Sequence, residues 1–417
     1  MSTLTCAIQI GSNRIMAIAA MKNMQTGTLS NIQIESESAR DCVSYGCVSN
    51  VEQAAMHIRS IIQKLSNRMR ATITSAHVGA GGMSLHSLVQ QPTVQIPDYD
   101  VLDSSPLDEG QYQLIVGQKR IRQRIQAAMD RAGIHLNSFV VLPKATACIL
   151  TPDMRQRGCV LVDMGAATTT VAIYYQNQLR HLAVIPMGGD NVTLDIQSSG
   201  CTFDEAERNK TDWSDVSQET PTDTATTSAS GNALFADKTL SMPLSKLNTI
   251  ALCRYEEIAD NIRHQIEISG LQDRLEAGCI LTGGAAQQNG LTSLIRRRLN
   301  VARIEVRAYR EAAMLNSERK PHLTNALALL NFCTDDCQAP VKPVAPTPAT
   351  PAATTAQPAA AAKPNDGQLD LEIPDAPEPE TTEPDKEDQH PVRGMVSRFF
   401  RDLITGQDDT PKQTKRK

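Results

Sequence analysis

The most chemically legible stretch of the chain is Asp163-Met164-Gly165-Ala166-Ala167-Thr168. Val160, Leu161 and Val162 precede it, so a buried strand would end in a carboxylate before small residues turn the chain into a second strand. Small side chains let backbone N–H groups approach an anion, and the Thr168 hydroxyl adds a donor. Asp163 at a strand end is suited to hold Mg2+ through the ion's own waters, because this ion dehydrates reluctantly. An ordinary hairpin with an Asp in its turn has the same composition, so the stretch alone decides nothing. Two other turns keep it company. Gly11-Ser12-Asn13 occupies an equivalent place near the N-terminus. Thr282-Gly283-Gly284-Ala285 follows an apolar run and suits close backbone approach to a flat base or an α-phosphate. Glu207 and Lys210 stand three apart on an expected helix and share a face. That pair either offers a carboxylate to sugar hydroxyls with an ammonium nearby, or is a solvated surface pair worth little.

The elements that must position these groups read as alternating strands and helices. Cys6–Ala20 is an expected hairpin around Gly11–Arg14, and Cys159–Tyr174 is a second of the same design. A helix is expected from Asn50, with Val51, Ala54, Ala55, Ile58, Ile61, Ile62 and Leu65 on one face. Further strands are expected near 76–80, 112–116, 138–142, 179–186 and 277–282. Further helices are expected over 121–132, 144–150, 244–271 and 323–332. Residues 84–113 contain Pro92, Pro97 and Pro106 and show no sustained period, so they read as irregular, while 211–238 reads as a surface loop rich in Thr, Ser, Asp and Gly. Two matching hairpins point to a duplicated α/β architecture.

The order of these segments resembles the actin-like ATPase superfamily and, within it, the FtsA family of bacterial cell-division proteins. Ala7-Ile8-Gln9-Ile10-Gly11-Ser12 resembles the family's first phosphate loop, and Val162–Ala172 the second. Leu179–Ile196 resembles the strand and helix that follow, Ala206–Lys210 the ribose-contacting helix, and Ile280–Gln287 the adenine loop. The resemblance spans roughly residues 5–335.

It implies a two-lobed actin-like fold of duplicated ribonuclease-H-like domains. Lobe I would comprise residues 1–83 and 117–158, with 84–116 as a reduced version of the family's 1C subdomain. Lobe II would comprise 159–200 and 275–337, with 201–274 as subdomain IIB. It also implies ATP with Mg2+ as cofactor, held by Gly11, Ser12, Asn13, Asp163, Gly165, Ala166, Ala167, Thr168, Glu207, Lys210, Gly283, Gly284 and Ala285. The implied partners are the C-terminal tail of FtsZ at IIB, further copies of the chain in filaments, and other division proteins. The family pattern is not complete here. Gln9 replaces a usual carboxylate, Ala166 and Ala167 replace glycines, and the water-activating residue falls near Leu142, where neither Leu142 nor Lys144 is a base. The expectation is a weak ATPase at most, or a nucleotide-holding pseudoenzyme.

Composition divides the chain. Of its 417 residues, the segment 338–390 holds 11 of the 22 prolines and almost no large apolar side chain, so it is expected to be a disordered linker. Beyond it, over 391–406, Met395, Val396, Phe399, Phe400, Leu403 and Ile404 recur at helical spacing and form one apolar stripe. Arg398 and Arg401 flank the stripe, and a basic tail follows over 407–417. A helix this short is marginal in water and needs a surface on which to fold. The expectation is a membrane-targeting helix on anionic inner-membrane lipids, with a helix docked on the body or on a partner as the alternative. The resemblance independently implies such a helix, and a peripheral protein on the cytoplasmic face of the cell membrane at the division septum.

A net charge of −5 gives no support to a nucleic-acid partner. No apolar run approaches the ~18 residues of a membrane span, and nothing near the N-terminus resembles a secretion signal. The ten cysteines form no CxxC pair, which argues against a zinc module. Two other functions share the fold. A sugar or acetate kinase would need a cleft Asp base, for which no candidate stands out. A scaffold of pilus assembly or cell shape would keep the nucleotide and change the partners.

Overall fold

The computed structural model describes residues 2–91, 96–107, 110–217, 240, 242–301, 303–310 and 321–338. The expected linker beyond 338, the amphipathic segment 391–406, the basic tail and most of the expected loop 211–238 lie outside the described residues.

The first lobe is built on β1 (Ser2–Ile10), β2 (Arg14–Asn23), β3 (Leu29–Ser38), β6 (Ser75–Ala80) and β10 (His135–Val141), in the order β10-β6-β1-β2-β3. β1, β2 and β3 form an antiparallel meander, and β6 and β10 join β1 in parallel. Between β3 and β6 lie a two-stranded ribbon, β4 (Val43–Ser44) with β5 (Cys47–Val48), and helix α1 (Val51–Met69). Asn50 caps α1 by accepting from the Glu52 and Gln53 N–H groups, and the expected stripe from Ala54 to Leu65 is buried. Helix α2 (Lys119–Ala132) packs beside α1 and leads into β10.

The second lobe repeats the pattern. β11 (Cys159–Met164), β12 (Thr169–Tyr175) and β13 (Gln178–Ile185) form the meander, and β14 (Cys279–Thr282) and β15 (Ile304–Val306) add in parallel on the β11 side. Its helices are α5 (Gly189–Gln197), α6 (Phe203–Trp213), α7 (Leu244–Ser269) and α8 (Leu291–Leu299). β11 is buried on both faces. Val160, Val162 and Met164 face the core of α5, α7 and α8, while Cys159 and Leu161 face the core continuous with the first lobe. The connection between lobes runs through α3 (Leu142–Thr146) and α4 (Pro152–Arg157). The closing helix α9 (Thr324–Leu329) returns under the first sheet. There Leu329 lies so close to β6 that a Cβ on Gly79 would sit 2.4 Å from it.

Residues 84–113 depart from the expected irregularity, while the strand expected over 112–116 is present. β7 (His86–Gln90), β8 (Tyr99–Pro106) and β9 (Tyr112–Gln118) form an antiparallel unit that extends the second sheet in the order β13-β7-β9-β8. The junction is short: Ala183 pairs with His86, and Leu182 N–H donates to Ser87 Oγ at 2.7 Å. β7 and β8 are only partly buried, so no apolar period marks them, and Pro106 is accommodated at a strand end. A smaller correction concerns 211–217. Helix α6 continues to Trp213, and Val216 is buried with its N–H donated to Asn289 O at 3.0 Å.

On the outer face, His57 of α1 ties the end of β3 to the following loop. Its Nδ1 lies 2.7 Å from Glu37 Oε2 and its Nε2 3.1 Å from Asp41 Oδ2. Burial opposes the imidazolium, yet the two carboxylates outweigh it and raise the His57 pKa. Burial also works against the Glu37 carboxylate, but hydrogen bonds from Lys64, Ser60 and His57 bring its pKa down to about 2. A raised histidine contributes stability fully below the unfolded pKa near 6.5 and loses it as pH rises through the folded value. Substituting His57→Gln is therefore expected to cost about 1 kcal/mol at pH 5.5 and progressively less towards pH 9, read from urea unfolding midpoints.

Candidate functional site

The repeated meander brings its first turn to the same place in each lobe. Gly11 N–H donates to Arg14 O at 3.1 Å, and Gly165 N–H donates to Thr168 O at 2.9 Å. Gln9 and Asp163 stand two residues before these glycines, each flanked by a parallel strand, at Gly79 and Thr282 respectively. They are structural counterparts. Ala166 and Ala167 keep negative φ, so alanine carries no backbone strain in the second turn.

The second turn also carries helix α5. Gly189 N–H donates to Gly165 O at 3.0 Å and Asp190 N–H to Ala166 O at 2.8 Å. A Cβ on Gly188 would lie 2.4 Å from Ala166 O, so this approach requires glycine for space. The third turn closes on the carboxylate. Gly283 has φ +91°, and a Cβ there would lie 2.5 Å from Asp163 Oδ1. Gly189 links the third turn to α6, since its Cβ position lies 3.2 Å from Ala285 Cβ and 3.4 Å from Lys210 Nζ. Residues 163, 165–168, 188–190, 207, 210 and 283–285 thus form one contiguous cluster in the second lobe.

Asp163 is half-buried, and its Oδ2 accepts from Asn325 Nδ2 at 2.7 Å. Burial pushes its carboxyl above the usual range, and the Asn325 amide only partly offsets that. Asn325 in turn accepts from Thr146 Oγ1 at 2.6 Å, and Thr146 also donates to Leu142 O at 2.9 Å. This relay runs from the second lobe through α9 to α3. Gln9 has no such support: its Oε1 is buried without a hydrogen-bond partner among the described residues.

Glu207 and Lys210 share a face of α6 as expected, but the ammonium is not free to meet a ligand. Lys210 is 6% exposed, and Nζ donates to Gly189 O at 2.9 Å, Thr193 Oγ1 at 2.7 Å and Glu207 Oε2 at 2.6 Å. A buried ammonium needs its three donors satisfied, and these acceptors satisfy them. Lys210 is a strut beneath the half-exposed Glu207. In the first lobe, Ser12 Oγ accepts from Gly46 N–H at 2.8 Å, and Asn13 O accepts from Ala39 N–H at 2.9 Å.

Asn325, Thr146, Arg40 and Asp190 were not marked by sequence reasoning. Arg40 reaches Asp190 from the other lobe, with Nη1–Oδ2 3.1 Å and Nη2–Oδ1 3.3 Å. Burial raises the Asp190 pKa, Arg40 and Lys210 oppose the rise, and Glu207 adds to it. The pair Gly188-Gly189 before Asp190 was the one local signal available. The other three are polar residues on unrelated segments, with nothing in their spacing to join them.

A family model described as cell division protein FtsA matches residues 160–328. The cell division protein FtsA of Porphyromonas gingivalis is 31% identical over 346 residues, covering 71% of this chain and 71% of the relative. The chain belongs to the FtsA family. The FtsA of Pseudomonas aeruginosa is 26% identical over 337 residues, covering 69% of this chain and 79% of its own. Among solved structures, a chain of the PilM–PilN type IV pilus biogenesis complex aligns with TM-score 0.58 at 17% identity, over 78% of this chain and 97% of that one. That likeness concerns the fold, which is actin-like and two-lobed. The chain is a divergent FtsA, an actin-like cell-division protein.

The groups of this FtsA site fit an anionic ligand with a hydrated cation. The orphaned Gln9 Oε1 and the Asp163 carboxylate have acceptor capacity suited to metal-bound water, and the glycines let the turns pack closely around the carboxylate. A raised carboxyl pKa means that ionisation at neutral pH is less favourable in the folded state than in the unfolded one. Asp163→Asn is therefore expected to raise ligand-free stability, read as a higher urea midpoint at pH 7, as substitutions that relieve functional strain do.

Proposed function

We propose that this FtsA binds MgATP between its two lobes and tethers FtsZ filaments to the cytoplasmic face of the inner membrane through residues 391–406. The observation that carries the nucleotide reading is the pair of equivalent glycine turns, each preceded at the same register by a polar side chain with acceptor capacity. In this reading Gly11, Ser12 and Asn13 and Gly165 to Thr168 hold the phosphates. Asp163 and Gln9 hold the waters of Mg2+, Glu207 meets the ribose, and Gly283 to Ala285 meet the base. The bound ion would neutralise phosphate charge.

The segment where a water-activating group would stand offers none. Leu142 is buried at the start of α3, and Lys144 is paired with Asp103 at 2.8 Å. Nucleotide retention is thus favoured over turnover, which suits a filament subunit better than a kinase.

The tether reading rests on family membership and on the apolar stripe from Met395 to Ile404, whose flanking cations each gain about 1 kcal/mol near an anionic surface. The ten acidic residues between Asp366 and Asp388 would be repelled by that surface and hold the body away from it. Among the described residues no helix is long and apolar enough to cross a membrane. Subdomain IIB, residues 201–274, is the proposed seat of the FtsZ tail. Copies of the chain self-associate, and other division proteins join them at the septum.

Two measurements test the proposal. Asp163→Ala is expected to weaken ATP binding about tenfold or more by calorimetry, a loss of about 1.4 kcal/mol, and unchanged affinity would refute the phosphate placement. Removing residues 392–406 is expected to abolish pelleting with anionic vesicles and, with it, recruitment of FtsZ polymers to them. Full pelleting of the shortened chain would sink the anchor.

A further inference from the structure

The two glycine turns belong to different lobes, and a ligand gripped by both is held only while the lobes keep their spacing. One polar chain of contacts runs between the turns without passing through the ligand. Asn13 O, in the first turn, accepts from Ala39 N–H at 2.9 Å, and Arg40 is the next residue. Its guanidinium meets both Asp190 oxygens, at 3.1 and 3.3 Å. Asp190 N–H donates to Ala166 O of the second turn at 2.8 Å.

We propose that the Arg40–Asp190 pair is the latch that positions the two phosphate turns against one another and so sets how long a nucleotide stays in the cleft; this rests on the nucleotide reading above.

Three features distinguish it from an ordinary surface ion pair. The contact is bidentate, which orients both partners. The Arg40 Cζ lies 4.2 Å from the centroid of the Phe203 ring at the start of α6, so one face of the guanidinium is covered by the second lobe. Both residues are tied by backbone to the turns, so little flexible chain lies between the latch and the site. Arg40 also masks a carboxylate beside the proposed phosphate position, which would otherwise repel the ligand. The Asn325–Asp163 bond also crosses between the lobes, from α9, but it reaches the strand end and not the first turn.

The test is a double-mutant cycle on the full chain, with Arg40→Ala, Asp190→Ala and both, read by stopped-flow release of a fluorescent ATP analogue. Each single change is expected to speed release about 5- to 50-fold, with the double no faster than the faster single, because both remove one interaction. Arg40→Lys, which keeps the charge but not the fork, is expected to fall between wild type and Arg40→Ala. Release rates unchanged by the single substitutions, or multiplying in the double, would overturn the latch. Hydrogen exchange in the nucleotide-free protein reads the latch separately. The Ala39 and Asp190 amides are expected to exchange faster in Arg40→Ala, while those in the middle of α7 do not change. Wild-type protein that binds no nucleotide, with this exchange difference present, defeats the nucleotide reading and leaves the latch standing. Unchanged exchange defeats the latch itself.

Discussion

The arrangement of the cleft depends on how α5 hangs from the turn between β11 and β12. Its first N–H groups, at Gly189 and Asp190, donate to Gly165 O and Ala166 O, so the helix satisfies its orphan donors on the backbone of the turn. That contact needs a residue without a side chain at Gly188, and it brings α6 within reach because Lys210 binds Gly189 O. One junction thus places the turn, the strut under Glu207 and the carboxylate of Asp190. A helix anchored by its first residues to the turn between two interior strands has little freedom to drift, which suits a site that must match a polyanion.

The two lobes show what duplication preserves and what it releases. The meander, the parallel additions and the Gly N–H closure of the first turn are the same in both. The strand-end side chains differ. Asp163 is ionisable and supported by Asn325, whereas Gln9 is neutral and its Oε1 has no described partner. The sheet geometry is demanded by the core on both faces of β1 and β11, so it persists. The polar residues two places before the turns differ between the lobes while the apolar core around them is kept.

Cohesion between the lobes comes from several unlike sources. The apolar cluster of the first lobe continues onto one face of the second sheet, α9 packs under β1 and β6, and the β7–β9–β8 unit continues the second sheet from a segment that departs from the first. The polar contacts add specificity to this apolar contact. The relay from Asp163 through Asn325 to Thr146 and the pair Arg40–Asp190 each couple a turn residue to the opposite lobe.

Strong local patterns were legible in the residues alone: the Asn50-capped helix, both hairpins, the long helix from Leu244 and the glycine turns, because hydrophobic period and turn chemistry act over neighbouring residues. The order of these patterns was enough to indicate the family, and the same reasoning marks the apolar stripe near the C-terminus. Tertiary structure decided the rest. The strands over 86–106 have weak periodicity and are held by pairing with β9 and β13, a partnership no local window contains. Lys210 reads as a surface ammonium until α5 brings Gly189 O and Thr193 over it. Arg40 and Asp190 lie 150 positions apart, as Asp163 and Asn325 lie 162 apart, and only the packing of one lobe on the other gives each its partner. Periodicity is a property of neighbours along the chain, whereas a hydrogen-bond partner is a property of neighbours in space.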